Sequence, residues 1–142
     1  MIATTTRRKL THAGALALID AAVAKATAMG QPQCIAVVDD GCNLVAFVRM
    51  DGAKVLSFES ALHKAMTAAS ARVPTGAVEA GLAARLAAAT GGKVTNLLGG
   101  LPIVVDGDVI GAIGVGSGTG EQDVVVANAA LAACGAKTFG TD

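Results

Sequence analysis

The stretch 111–123, GAIGVGSGTGEQD, does more than any other to decide the fold. Glycine recurs at every second position from Gly114 to Gly120, so a strand here would have one face without side chains. An apolar, helix-like run follows at 124–133. A glycine-rich strand end that leads into a helix places unpaired backbone N–H groups in a concave nest, which favours anions. Alternatively, the glycines only let the strand pack closely against a helix. The residues alone leave both interpretations open.

The composition indicates one folded domain with an aliphatic core. The chain has 142 residues, of which 53% are hydrophobic, 15% charged and 2% aromatic. A chain of this length buries enough surface for a core, and without Trp or Tyr that core is built from Ala, Val, Leu and Ile. We therefore expect a single domain over residues 1–142. The low number of charges also predicts faces buried between subunits, and hence a homo-oligomer.

The charged residues and cysteines argue against several partners and locations. Eleven basic and eleven acidic residues cancel, and there is no basic tract beyond residues 7–9, so no nucleic-acid partner is expected. Asp20 interrupts the apolar run after that cluster, which favours a folded helix over an export signal. No stretch is long enough to span a membrane. The cysteines, Cys34, Cys42 and Cys134, form neither a metal-binding spacing nor a disulfide pattern, which favours the cytoplasm.

Helical spacing and capping residues predict four helices. The first is capped by Thr11 and ends at Gly30, and a second covers 57–71. Thr75 is predicted to cap a third, alanine-rich helix that packs closely against another element and extends to about residue 89. The fourth follows the glycine-rich stretch.

Two Asp-Gly pairs predict β-hairpins. The pairs at 40–41 and 106–107 each lie between two apolar, β-rich runs. The element order is therefore helix, hairpin, two helices, hairpin, helix. Because hairpins form antiparallel pairs, we expect a single antiparallel sheet with helices packed on it.

Known nucleotide motifs are absent. After Gly114 and Gly116, a dinucleotide-binding fingerprint would require glycine where the chain has Thr119. The Gly92-Lys93 pair lacks the remainder of a Walker A motif. Ser117 also lies outside the pattern of a serine-hydrolase nucleophile.

The two histidines are candidates for chemistry. His63 follows Glu59 by four residues on the same helical face, so the carboxylate could orient the ring. Lys64 lies beside it on a polar stripe with Ser57, Ser60 and Thr67. The alternative is an ordinary solvated helix face. His12 lies in the first turn of the first helix, where the dipole favours a neutral imidazole suited to a metal or haem iron.

Arg49 ends an apolar strand and requires an anionic partner. Asp39 on the paired strand is one candidate partner, and a ligand carboxylate is the other.

Three ordered motifs carry a family resemblance. They are AVVDDGCNLVAFVRMDGA at 36–53, the helix with Lys64-Ala65 and Thr67-Ala68, and GGLPIVVDGDVIGAIGVGSGTGEQD at 99–123. Together they resemble the GlcG/HbpS family, which includes the C-terminal domain of PduO-type proteins. The resemblance implies an α/β (α+β) fold with a single five-stranded antiparallel sheet flanked by helices in a profilin-like layout. It also implies dimers or larger oligomers.

The resemblance further implies a small-ligand role, since characterised relatives bind haem. Several residues fall on recurrent family motifs: Arg49, Asp51, Gly52, Lys64, Thr67, Gly111, Gly114, Glu121 and Asp123. The chain departs from the family in its last glycine loop. Relatives tend to have G-V-S-G-G, whereas this chain has G-V-G-S-G, which places serine at Ser117.

These observations lead to two functional hypotheses. The first is binding of an anionic ligand, with haem and its propionates as the family-based candidate. The residues expected to bind it are Arg49, Asp51, Lys64, Gly116, Ser117, Gly118, Thr119 and Glu121, and His12 or His63 would approach haem iron. No other metal is expected.

The second hypothesis is a cofactor-independent isomerase, hydratase or hydrolase acting on a small organic acid in a catabolic pathway. Arg49 would clamp the carboxylate, and Lys64 or His63 would move a proton. The N–H groups of the glycine loop would stabilise developing negative charge. A purely structural oligomer subunit is a third interpretation.

Overall fold

A computed structural model describes residues 1–140 as four helices and four strands. In chain order they are α1 (His12–Met29), β1 (Cys34–Asp39), β2 (Leu44–Arg49), α2 (Ser57–Ala71), α3 (Ala80–Ala89), β3 (Gly100–Val105), β4 (Asp108–Gly116) and α4 (Gly120–Ala133). No helix among the described residues is long and apolar enough to cross a membrane.

The four strands form one antiparallel sheet in the order β2-β1-β4-β3. Both predicted hairpins are present, β1–β2 and β3–β4. The expectation of five strands is wrong for the described residues. The segment 93–98 forms no strand, and Thr95 donates its N–H to the Thr67 hydroxyl of α2. After α4, Lys137 donates one backbone hydrogen bond to Val104 beside the outer strand, which does not extend into a ladder.

Helices cover both faces of the sheet. On one face, α1 and α4 bury large aliphatic side chains of the strands, including Ile35, Val37, Ile113 and Val115. On the other face, α2 packs through small residues, which are Ala61, Ala65, Ala68 and Ala69, against Cys34, Ala36, Val38 and Ala112. On this second face, the backbones of α2 and the strands therefore approach one another closely.

The alternating glycines make this close approach possible. A Cβ atom at Gly114 would overlap the backbone oxygen of Ala61, and one at Gly116 would lie 2.8 Å from Ser60 Oγ. A Cβ at Gly100 on the neighbouring strand would overlap the Lys64 carbonyl. The face without side chains is thus covered by α2, and the close-packing interpretation is confirmed for these positions.

The predicted ends of α1 are confirmed. Thr11 Oγ1 accepts a hydrogen bond from the Gly14 N–H at 3.1 Å. Gly30 ends the helix in the left-handed conformation with φ of 67°. The range predicted for α2 also matches the structure.

The predicted start of the third helix is wrong. Thr75 does not cap it, because its hydroxyl accepts the Gly100 N–H at 2.9 Å and holds the loop against β3. The helix begins at Ala80 instead, where the Glu79 carboxylate accepts the N–H groups of Gly81 and Leu82. The close packing expected of this helix is absent too, since Ala83 is its one buried residue.

We predict that Gly114→Ala lowers the free energy of unfolding by about 3 kcal/mol, because backbone atoms of α2 occupy the space of the new methyl group. Gly14→Ala is the matched control. Its Cβ would come no closer than 3.3 Å to Leu10, and alanine is the better helix former, so stability stays equal or rises by up to about 1 kcal/mol. Urea unfolding followed by circular dichroism measures both. Equal effects of the two substitutions would contradict the packing argument.

Candidate functional site

A buried ion pair lies at the end of strand β4, between α2 and α4. Lys64 Nζ donates to Asp123 Oδ2 at 2.8 Å and to the Val115 carbonyl at 2.8 Å. Both residues are almost fully buried, with 4% and 1% of their surface exposed. The interpretation of the α2 polar stripe as a solvated face is therefore wrong for Lys64 and Thr67, which are buried.

The glycine loop binds an anion of the protein itself. The Gly118 N–H donates to Asp123 Oδ1 at 3.1 Å and to Gln33 Oε1 at 2.9 Å. The next N–H, of Thr119, donates to Gln122 Oε1 at 2.9 Å within a capping box that begins α4. These two donors of the predicted nest are thus engaged by the protein's own side chains.

Burial disfavours the negative charge of Asp123, and neighbouring hydrogen-bond donors favour it. Burial raises the pKa of the Asp123 carboxyl above its ordinary value, and the Lys64 ammonium, the Gln33 amide and the Gly118 N–H act in the opposite direction. Gln33 is fully buried beside this carboxylate, and its Nε2 acts on the carboxylate charge without a partner in hydrogen-bond geometry among residues 1–140. Sequence reasoning missed Gln33. Its signal is a polar residue directly before a strand of buried residues.

A pocket of about 230 Å³ opens above the ion pair. Hydroxyl and ammonium groups make up much of its wall, and two leucines stand at its rim. The lining residues are Lys54, Ser57, Ser60, Lys64, Leu97, Leu98, Ser117, Gly118, Gly120 and Asp123. Lys54 is exposed and forms no ion pair within the described part of the chain. Sequence reasoning did not select Lys54, because its side chain meets the others only after folding.

The other predicted site residues of the glycine loop do not line this pocket. Gly116 lies beneath α2 next to Ser60. Thr119 caps α4 through its hydroxyl, which accepts the Gln122 N–H at 3.2 Å. Glu121 is exposed on the first turn of α4 and lines a different cavity.

Arg49 and Asp51 lie outside the pocket lining. Arg49 is the last residue of the edge strand β2, where it pairs with Cys34 and is exposed. Of the two partners considered for Arg49, Asp39 does not pair with it, because Asp39 lies five residues further along β1, or about 17 Å away. Asp39 instead accepts the N–H groups of Gly41 and Asn43. Asp51 lies in the exposed turn after β2.

The two histidines are far from one another and do not line the pocket. His63 Nε2 lies 3.6 Å from Glu59 Oε2, as the four-residue spacing predicted. His12 is exposed at the start of α1, while just beyond the end of that helix Gln31 donates to the Ser117 carbonyl at 3.3 Å. The length of α1 separates His12 from the pocket by about 25 Å. The described residues contain no group of three His, Cys, Asp or Glu side chains that could hold a metal ion.

Ser117 joins the end of β4 to the segment before α2. Its hydroxyl oxygen accepts the Lys54 N–H at 2.9 Å. Its φ is 96°, in the left-handed region that glycine adopts readily and other residues adopt only with strain. The Ser117 hydroxyl therefore holds the Lys54 backbone in place, while the backbone of Ser117 itself is strained.

Comparison with known proteins identifies the family. The family described as "Haem degrading protein HbpS-like" matches residues 10–132. The chain belongs to this HbpS-like family. The family resemblance inferred from the three sequence motifs is therefore confirmed.

Relatives of this HbpS-like chain match it over most of its length. It is 39% identical over 132 residues to an uncharacterized 15.0 kDa protein from the dhaT-dhaS intergenic region of Citrobacter freundii, covering 86% of this chain and 89% of the relative. The crystal structure of Klebsiella pneumoniae protein ORFY has a TM-score of 0.84 and 30% identity, with 95% and 97% of the two chains covered. A PduOC:haem complex has a TM-score of 0.83 and 31% identity, with coverage of 94% and 100%.

We predict that Ser117→Ala costs about 1 to 2 kcal/mol of stability, because it loses the hydrogen bond to Lys54 and keeps the strained φ. Ser117→Gly loses the same bond and relieves the strain, so it is expected to be about 1 kcal/mol more stable than the alanine variant. Chemical denaturation compares the pair. An alanine variant as stable as the glycine variant would show that φ at this position stores no strain.

Proposed function

We propose that this HbpS-like protein binds a small anionic ligand through its acid group, in the pocket between α2 and the start of α4. The observation that carries the proposal is Lys54, an exposed cation at the pocket with no ion-pair partner among residues 1–140. The charge of Lys64 is balanced by Asp123, so the net positive charge of the pocket comes from Lys54.

Hydroxyl groups beside Lys54 support recognition of a carboxylate. Ser57, Ser60 and Ser117 line the same wall. The Ser60 hydroxyl donates to the Ser57 carbonyl at 3.3 Å, whereas the hydroxyls of Ser57 and Ser117 donate to no acceptor among residues 1–140. Ser117, for example, accepts from the Lys54 N–H and keeps its own O–H for a ligand. A carboxylate can accept several such bonds at once, so an acid group fits this wall better than a cation or a hydrocarbon does.

The size of the pocket limits the part of the ligand that it holds. Its volume of about 230 Å³ lies below the range of roughly 300–1,000 Å³ typical of sites that enclose drug-sized molecules. We therefore propose that a carboxylate with a few carbon atoms occupies it.

Haem is the candidate that the relatives support, since PduOC is known as a haem complex. A propionate suits the wall around Lys54, but the pocket is too small for a porphyrin, and neither His12 nor His63 lines it. The residues of this chain thus do not fit an enclosed, histidine-ligated haem. Haem is retained as a competing ligand in the test below.

The enzymatic alternative receives less support from the geometry. Arg49 lies outside the pocket lining, so it is not placed to clamp an acid held there. The Gly118 N–H is engaged by Asp123 and Gln33, and the Lys64 ammonium is held by Asp123. Ligand binding requires none of these groups to be released, and we therefore propose binding.

Homo-oligomerisation, a cytoplasmic location and a role in organic acid catabolism remain predictions. Exposed apolar side chains support the first of these, because contact with a second subunit would take them out of water. They include Val55, Leu56, Val73, Leu82 and Leu97.

We predict that Lys54→Ala weakens binding of short hydroxy- and keto-acids, such as lactate and pyruvate, about tenfold, since a charge-assisted hydrogen bond is lost. Lys25→Ala on α1 is the matched control and leaves affinity unchanged. Thermal shift and isothermal titration calorimetry on the full chain measure both, with a haem titration followed by its Soret band in parallel.

Failure of every short acid to bind would overturn the proposal. Tight haem binding that Lys54→Ala leaves intact and His12→Ala/His63→Ala abolishes would favour a histidine-ligated haem site instead.

A further inference from the structure

A second, larger cavity lies directly beside the proposed anion pocket. It measures about 500 Å³ and is formed by the first turns of α4, the loop before α3 and the chain after α4. Most of the residues that line it are apolar: Pro74, Leu98, Leu101, Val124, Val125 and Phe139. This volume lies within the range of small-molecule sites. The proposed function does not use it.

The two cavities share one wall residue, Leu98. On α4, Gly120 and Asp123 face the polar pocket, while Glu121, Val124 and Val125 face the apolar cavity. Adjacent faces at the start of α4 therefore line the two cavities.

The side chain of Leu98 forms the ridge between the two cavities. Leu98 lies against two glycines, since a Cβ at Gly76 would overlap its side chain and one at Gly120 would come within 3.0 Å of it. Leu98 is 45% exposed, so core packing does not lock its side chain. A flexible ligand could therefore cross this ridge without displacing backbone.

The charged residues of the two cavities favour one orientation for a ligand that spans both. Among residues 1–140, Glu121 is the one charged residue that lines the apolar cavity, and it would repel a carboxylate there. The polar pocket offers Lys54 and the serine hydroxyls. An acid group therefore belongs in the polar pocket, and a hydrocarbon chain in the apolar cavity.

We propose that the ligand class is a monocarboxylic acid with a linear apolar tail, whose head binds beside Lys54 and whose tail crosses Leu98 into the apolar cavity. The inference rests on the proposed function, because it uses the same carboxylate site. It adds a second subsite that selects among acids by the length of the tail.

The test is calorimetric titration of the full chain with butanoate, hexanoate and octanoate, and with octan-1-ol as a tail without a charge. Each methylene that enters an apolar site is expected to raise affinity about three- to fourfold, so octanoate binds on the order of 100-fold tighter than butanoate. Octan-1-ol binds more weakly than octanoate.

Val125→Phe narrows the apolar cavity from a partly exposed position, and it is expected to remove the gain with tail length while butanoate affinity stays unchanged. Leu16→Phe, at an exposed leucine of α1 outside both cavities, is the control and keeps the gain.

Three results overturn the inference. Equal affinities for butanoate and octanoate would refute the second subsite and leave the carboxylate site standing. A tail-length gain that Val125→Phe leaves intact would place the tail elsewhere. Absence of binding by all acids, short ones included, would refute the proposed function and this inference together.

Discussion

The buried ion pair of Lys64 and Asp123 is the interaction on which the pocket and the joining of two layers depend. Lys64 belongs to α2 on one face of the sheet and Asp123 to α4 on the other, and they meet at the end of β4. Charges taken out of water tolerate burial only while their partners stay in place. The Val115 carbonyl and the Gly118 N–H complete the arrangement, so one set of bonds holds two helices, a strand end and the glycine loop.

The alternating glycines allow Lys64 and Asp123 to come within contact distance of one another. Gly114 and Gly116 let α2 lie against β4 closely, and the Lys64 ammonium then reaches the end of the strand. The same loop does form an anion-binding arrangement at Gly118, but its anion is Asp123. Both interpretations of the glycines thus apply, at different positions. A ligand anion must accordingly rely on side chains such as Lys54, which supports the placement of its acid group beside that residue.

Local sequence patterns predicted most of the fold. The features that they missed depend on contacts between residues distant in the sequence. The caps of α1, the range of α2 and both Asp-Gly hairpins follow from neighbouring residues, and the structure agrees with them. Thr75 fits the local pattern of a helix cap. Its actual partner, Gly100, is 25 residues away in the sequence, so a local pattern does not reveal the contact. Lys64 is predicted from the sequence to bind an anion or move a proton, with a solvated face as the alternative, because local patterns do not reveal Asp123, the partner 59 residues further on that permits its burial. Asp39 is one of the two partners that the sequence allows for Arg49, because composition does not reveal the register that separates them along the hairpin.

The central claim is that Lys64 and Asp123 stabilise the fold as a pair, and a double-mutant cycle tests it most directly. The free energy of unfolding is measured by urea denaturation for the wild-type chain, Lys64→Met, Asp123→Asn and the double variant. Each single substitution is expected to cost about 3 kcal/mol, because it leaves the partner charge buried and unpaired. The double variant should then cost at least about 2 kcal/mol less than the sum of the two. Costs that add to within about 0.5 kcal/mol would mean that the two charges do not depend on one another, and would contradict the account.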